Sequence, residues 1–164
     1  MTKKIPLLHG QVTLVDEDDY VLLKGYKWRA GNNRGYGWYV QRTSPTDGNG
    51  KEHTLLMHRE ILNAKPDEEI DHIDGDGLNN QKSNLRLCTR SQNMANSRKG
   101  EGYSSRFKGV WWNRRLGEWQ VAIRVSGRRI HLGLFENEKE AARAYNAAAI
   151  EAFGEFARIN EDVT

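Results

Sequence analysis

The 164 residues include one cysteine, Cys88. A lone thiol closes no internal disulfide and builds no multi-cysteine zinc site, so neither kind of staple is available to the fold. In the alternating stretch LRLCT, Cys88 reads as a buried core residue. Long hydrophobic runs are missing too, and nothing approaches the roughly 20 apolar residues of a membrane span. The opening MTKKIPLLHG has only four mostly apolar residues behind its lysines, too few for the h-region of a signal peptide. The expectation is a cytoplasmic protein with no membrane partner. Acid is scarce in one region: from Lys82 to Arg129, twelve lysines and arginines face only Glu101 and Glu118, a local balance of +10 in a chain whose net charge is +3. These bases interleave with Phe107, Trp111, Trp112 and Trp119. A merely solvated face has no need of such aromatics, whereas a surface for nucleic acid does.

What is present reads as an α+β chain with two small cores. Residues 1–97 form the first domain, β-rich over 1–55 with a core at 56–97; 98–105 (RKGEGYSS) is a linker, and 106–160 is the second domain. In the first, QVTLV, YKWRA, WYVQRT and HTLLMHREIL read as strands of an antiparallel platform, separated by an acidic turn DEDDY, the glycine-rich GNNRGYG and a turn at PTDGNG. EIDHI then alternates as a strand, GDGLNNQKS is a loop, and NLRLCT alternates again with Leu85, Leu87 and Thr89 on one side. Thr89 and Gln92 make the capping box that opens the helix RSQNMANSR.

Beyond the linker, KGVWW, EWQVAIRV and RRIHLGLF read as three antiparallel strands. Val121, Ile123, Val125, Ile130, Leu132 and Leu134 share one face, while Gln120, Ala122, Arg124, Arg129 and His131 share the other. Asn137 caps a helix that stops at Gly154, and Ala141, Ala144, Tyr145, Ala148 and Ala152 give it a stripe of mostly small side chains that lies close on a sheet. The helix covers the apolar sheet face and leaves the arginine-rich face open.

The stretch EIDHIDGDGLNNQKSNLRLCTRSQN, at 69–93, carries the chemistry. His72 closes a strand, where an imidazole of ordinary pKa near 6.5 takes a proton from water at neutral pH if its tautomer is fixed. The neighbouring Asp71 suits a hard divalent cation that also grips a phosphate oxygen. Amide oxygens serve as neutral metal ligands or as groups that orient an imidazole. Asn84, opposite His72, is placed for orientation and Asn93, on the helix, for the metal. Asp76, Asn79 and Asn80 read as turn residues, and His58 in LLMHREIL as packing. An EF-hand match fails at Leu78 and at the missing glycine and glutamate.

LLMHREIL followed by the 69–93 stretch resembles the HNH nucleases, in particular the phage and intron homing-endonuclease branch, whose core is a ββα-metal unit around one divalent ion. The resemblance implies His72 as general base, Asp71 and Asn93 as ligands of Mg²⁺ or Mn²⁺, and Asn84 as the residue that positions His72. The segment from Ser105 to Asn160 in turn resembles the AP-two DNA-binding domain of plant ethylene-response regulators through KGV, EWQVAIR, RRIHLGLF, KEAARAYNAAA and the closing ARIN. That family lays a three-stranded sheet packed on one helix into the major groove of double-stranded DNA. The resemblance implies DNA contacts at Lys108, Gly109, Trp111, Asn113, Arg115, Arg124, Arg128, Arg129 and His131. Trp111, Asn113 and His131 depart from the plant pattern, so its base preference does not carry over. Together these features predict a monomeric, metal-dependent, site-directed DNA endonuclease of the homing type from a phage or bacterial mobile element. The rival expectations are a transcription regulator with an inactive nuclease unit and a nonspecific defence nuclease.

Overall fold

The computed structural model describes residues 1–32 and 37–163; most of the glycine-rich GNNRGYG turn lies outside the described residues. The chain divides into two compact units, Met1–Cys88 and Thr89–Thr164. Among the described residues no helix is long and apolar enough to cross a membrane.

In the first unit, β1 (Thr2–Pro6) and β2 (Val12–Asp16) pair antiparallel. The acidic stretch that follows is a helix rather than a turn: α1 (Glu17–Leu23) begins at Asp16 and carries Glu17, Asp18 and Asp19 in its first turn. Three carboxylates there complement the helix dipole, a signal that outweighs the turn propensity of Asp. Strands β3 (Arg29–Asn32), β4 (Trp38–Thr43) and β5 (Thr54–Leu56) form a three-stranded antiparallel sheet. The run HTLLMHREIL is strand only as far as Leu56; α2 (Met57–Leu62) follows at once and stops at Asn63 in the left-handed conformation. Ile5, Leu7, Val15, Leu23, Trp28, Val40 and Met57 are the shared core. Next, β6 (Glu69–His72) and β7 (Leu85–Cys88) pair antiparallel, with Asp71 opposite Arg86 and His72 opposite Leu85. Ile70 of β6 and Leu85 of β7 are buried, but Leu87 is 53% exposed and Cys88 half-buried, so β7 contributes one buried residue to the ribbon.

The second unit opens with α3 (Arg90–Asn96), capped by the expected reciprocal box of Thr89 and Gln92. The sequence places this helix in the first domain, yet it groups with the second unit. There the Ala95 carbonyl accepts bonds from Arg158 N and Lys108 Nζ, ties between residues far apart in the chain that local patterning cannot reveal. Strands β8 (Val110–Asn113), β9 (Glu118–Val125) and β10 (Arg128–Phe135) form an antiparallel sheet in the order β10-β9-β8. Ser126 and Gly127, both at positive φ, make the two-residue hairpin. Helix α4 (Glu138–Phe153) starts at Asn137, whose side chain accepts from Lys139 N and Glu140 N, and ends at Gly154. Ala141, Ala142, Tyr145 and Ala149 pack with Phe107, Val110, Val121 and Ile123; the small-residue stripe thus runs through Ala142 and Ala149, not Ala152. A bulge between His131 and Gly133 breaks the alternation of β10. Beyond it Leu134 pairs with Gln120 and joins the open face instead of the apolar one.

Candidate active site

The end of β6 is buried, with Asp71 4% and His72 5% exposed. The Arg86 fork closes on the Asp71 carboxylate, with Nε at 2.9 Å and Nη2 at 2.8 Å from the same oxygen, Oδ2. Strand register makes this pair, because the two residues face each other across the ribbon. The His72 ring sits in an aromatic pocket: His58 meets it edge-on at 5.1 Å and Tyr39 is tilted at 6.1 Å. These rings shield it from bulk water more than its strand-end position suggests. Burial lowers the His72 pKa, opposed by a bond with Asn80 and by the charges of Asp74, Asp71 and Asp76. The direction means a neutral imidazole at pH 7, the state a general base needs. His58 is pushed down to about 3 by burial, with the His72 and Arg59 charges adding to it. Its Nδ1 is buried and lacks a hydrogen-bond partner among the described residues. Tyr39 is raised, first by burial and then by the Asp71 charge.

The loop between β6 and β7 is rigidly bonded. The Asn84 side chain, expected on His72, is spent on this loop: its Oδ1 accepts from Asp74 N, and its Nδ2 donates to Asp74 Oδ1 and Asn79 O. Asn84 ends a single 3-10 turn, Lys82–Asn84, just ahead of β7, which aims its amide back into the loop. Burial opposes the Asp74 charge, but bonds from Asp76 N–H, Asn79 and Asn84 outweigh it and hold the Asp74 pKa below the usual range. The asparagine that meets His72 is Asn80, its Oδ1 3.3 Å from His72 Nε2. Sequence reading treats Asn80 as a turn residue, and no local signal marks it otherwise. Its importance comes from β2, far away in the chain, where backbone bonds Leu14 N to Leu78 O and Asn80 N to Leu14 O dock the loop. Sequence reading sets Asn84 opposite His72, one residue off the observed pairing of His72 with Leu85, and so misses Arg86 across from Asp71. Asn93 lies on the second turn of α3, half-buried. Among the described residues no group of three His, Cys, Asp or Glu side chains is set to hold a metal.

In the second unit, strand pairing puts Trp111, Asn113, Arg124, Arg129 and His131 on the open face of the β8–β10 sheet. The Arg129 guanidinium lies over the Trp111 ring at 4.5 Å, and Asn113 Nδ2 donates to Gln120 Oε1. Arg128 pairs with Val125 and so falls on the other row, and Arg115 sits in the β8–β9 turn. Two expected DNA contacts have internal duties. Lys108 Nζ donates to the carbonyls of Met94, Ala95 and Ser97, capping the C-terminus of α3. Gly109, at φ +75°, has no room for a side chain because Tyr145 and the Ala122 carbonyl crowd it. Trp119 packs against the core and meets Trp112 edge-on at 5.0 Å.

The model of the HNH endonuclease family matches residues 64–95, the span of β6, the loop, β7 and most of α3. An uncharacterized HNH endonuclease of Acanthamoeba polyphaga mimivirus is 34% identical over 155 residues, 93% of this chain and 76% of that relative. The AP2-like ethylene-responsive transcription factor TOE2 of Arabidopsis thaliana is 41% identical over 71 residues, and the factor CRL5 of Oryza sativa subsp. japonica 42% over 86. These matches take in 43% and 49% of this chain but only 15% and 14% of the plant proteins. No solved structure matches the chain. A buried Asp-His pair closing one strand of a ribbon, inside the matched segment, and a relative aligned along nearly the whole length agree: the chain belongs to the HNH endonuclease family.

Proposed function

We propose that this endonuclease is a metal-dependent, site-directed cutter of double-stranded DNA in which His72 is the general base. The observation that carries the proposal is the buried, ring-packed imidazole of His72 directly beside the Arg86-held carboxylate of Asp71. In this reading Asp71 and Asn93 hold one Mg²⁺ or Mn²⁺, as the likeness of the 69–93 stretch to the ββα-metal nucleases implies. The donor chemistry supports that choice: one carboxylate and one amide are hard oxygen ligands, too few for a closed cage, which suits a cation that keeps waters and phosphate oxygens. When bound, the cation supplies charge stabilisation at the scissile phosphate and its departing 3′-oxygen.

The chain's own residues do the rest. His72 accepts a proton from the attacking water, and Arg86 holds the Asp71 carboxylate in one orientation. Tyr39 and His58 keep the His72 ring from turning. With His72 only 5% exposed, the reacting water enters with the DNA rather than from bulk. The open face of the second unit, with Arg124, Arg129, Trp111, Asn113 and His131, supplies site selection, the arginines and the asparagine being suited to guanine and adenine edges. The other basic residues neutralise phosphate, and tethering raises the local concentration of the cutting unit at its target. The homing role, in the cytoplasm of a bacterium or phage-infected host, is supported by the likeness of the 69–93 stretch to that branch.

The test is cleavage of DNA carrying the protein's own coding sequence and its flanks, with and without Mg²⁺, followed by mapping of the ends. The expected result is Mg²⁺-dependent breaks at one position with 5′-phosphate ends, absent with His72→Ala. Uniform degradation of unrelated DNA would instead support a defence nuclease, and binding without any cleavage would leave only a DNA-binding role.

A further inference from the structure

We infer that Asn80, backed by Thr13 of β2, is the positioning residue that fixes the tautomer of His72, leaving the lone pair on Nδ1 as the proton acceptor. The assignment of Nδ1 as the working nitrogen rests on the proposed role of His72 as base; the tautomer itself does not.

The Asn80 side chain is fully buried, at 0% exposure, as is Thr13. Its amide has two donor hydrogens and both are placed: Nδ2 donates to Thr13 Oγ1 at 2.9 Å and to Gly77 O at 3.2 Å. Thr13 has one hydroxyl proton, directed to Leu78 O at 2.7 Å, so toward Asn80 it acts as acceptor. Turning the amide over would bring its oxygen against two acceptors, the Gly77 carbonyl and the Thr13 hydroxyl oxygen. The orientation is therefore set by the network around it. Asn80 Oδ1 consequently faces His72 Nε2, 3.3 Å away. A carbonyl oxygen only accepts, so Nε2 must carry hydrogen. A neutral imidazole has one N–H, and Nδ1 is left with the lone pair.

The chain of contacts also gives the N-terminal strands a part in the chemistry. Thr13 sits between Val12 and Leu14 of β2, and the Leu14 backbone holds both Leu78 and Asn80. The β1–β2 hairpin is thus the anchor of the residue that orients His72. Asn84, by contrast, acts one step further out, on Asp74 and Asn79.

Long-range proton–nitrogen correlation spectra of the ¹⁵N-labelled full chain, with His72 assigned by its loss in His72→Ala, read the tautomer directly. The wild type should show a protonated Nε2 and an unprotonated Nδ1. Asn80→Leu and Thr13→Val should mix the two tautomers and slow single-turnover cleavage about 10- to 100-fold, as loss of a partner behind a working imidazole does, with DNA affinity unchanged. Asn84→Ala, which leaves the Asn80 and Thr13 side chains in place, should retain the wild-type tautomer. A wild-type spectrum with hydrogen on Nδ1 overturns the inference whether or not any variant folds, as does a tautomer change in Asn84→Ala but not in Asn80→Leu. If the Nε2–H form is seen while His72→Ala still cuts DNA, the tautomer assignment stands and the general-base reading fails.

Discussion

Gly77 offers a sharp test of how the loop over the site is held. A methyl group built there would stand 3.0 Å from the Trp38 carbonyl carbon, 3.2 Å from Tyr39 Cδ1, and closer still to the Trp38 oxygen. Those are atoms of β4, and the oxygen is backbone, so no rotamer change relieves the overlap. In Gly77→Ala the loop must back away from β4 by about 1 Å, an overpacking change that typically costs about 1–3 kcal/mol. The displacement is transmitted to chemistry because Gly77 O is one of the two acceptors fixing the Asn80 amide. A shift on the order of 1 Å in a positioning group costs about 100-fold in rate. Urea unfolding gives the first quantity, and single-turnover DNA cleavage under conditions where the variant is folded gives the second. Gly48→Ala, where a methyl meets nothing within 4 Å, is the control and should change neither. If Gly77→Ala unfolds within about 0.5 kcal/mol of wild type and cuts at its rate, the loop is not held against β4 as described.

Further outcomes follow from single interactions. Arg86→Ala leaves a buried carboxylate without its fork, and urea unfolding should show a loss of about 3–5 kcal/mol. Lys108→Ala removes the cation from the last carbonyls of α3 and should cost about 1.5–3 kcal/mol by thermal denaturation, with DNA affinity at low temperature less affected than in Arg129→Ala. His58 predicts a pH dependence: below pH 6.5 the unfolded chain takes up a proton that the folded chain refuses until about pH 3. Stability must then fall as pH falls through that window, by up to about 1.4 kcal/mol per unit. His58→Gln should flatten the slope of unfolding free energy against pH between 6.5 and 4; an unchanged slope would mean that His58 is not held neutral.

Legibility in the sequence tracked the range of the interaction. The β6 and β7 strands, the Thr89–Gln92 capping box, the Asn137 cap and the Ser126–Gly127 hairpin are written in residues a few positions apart, and each is found where the pattern puts it. The acidic helix α1 is hard to read because Asp favours both turns and first helical turns; three carboxylates at the helix start and the packing of Leu23 with Trp28 and Val15 together favour the helix. The bulge in β10 was hidden because Leu132 and Leu134 look identical in an alternating pattern. Asp71 and His72 stood out as an adjacent acid and imidazole in a strand. Asn80 did not, since what separates it from Asn79 is contact with Thr13, 67 residues earlier. Lys108 shows the reverse error: a lysine in a basic block reads as a phosphate contact until the open end of α3 is seen to need a cation.

In the proposed function His72 takes the proton from the attacking water. The most direct measurement is the single-turnover nicking rate of supercoiled plasmid at saturating Mg²⁺ for wild type and His72→Ala, both shown by circular dichroism to be folded. General-base catalysis predicts a loss of at least about 100-fold in His72→Ala; cleavage by that variant at close to the wild-type rate would contradict it.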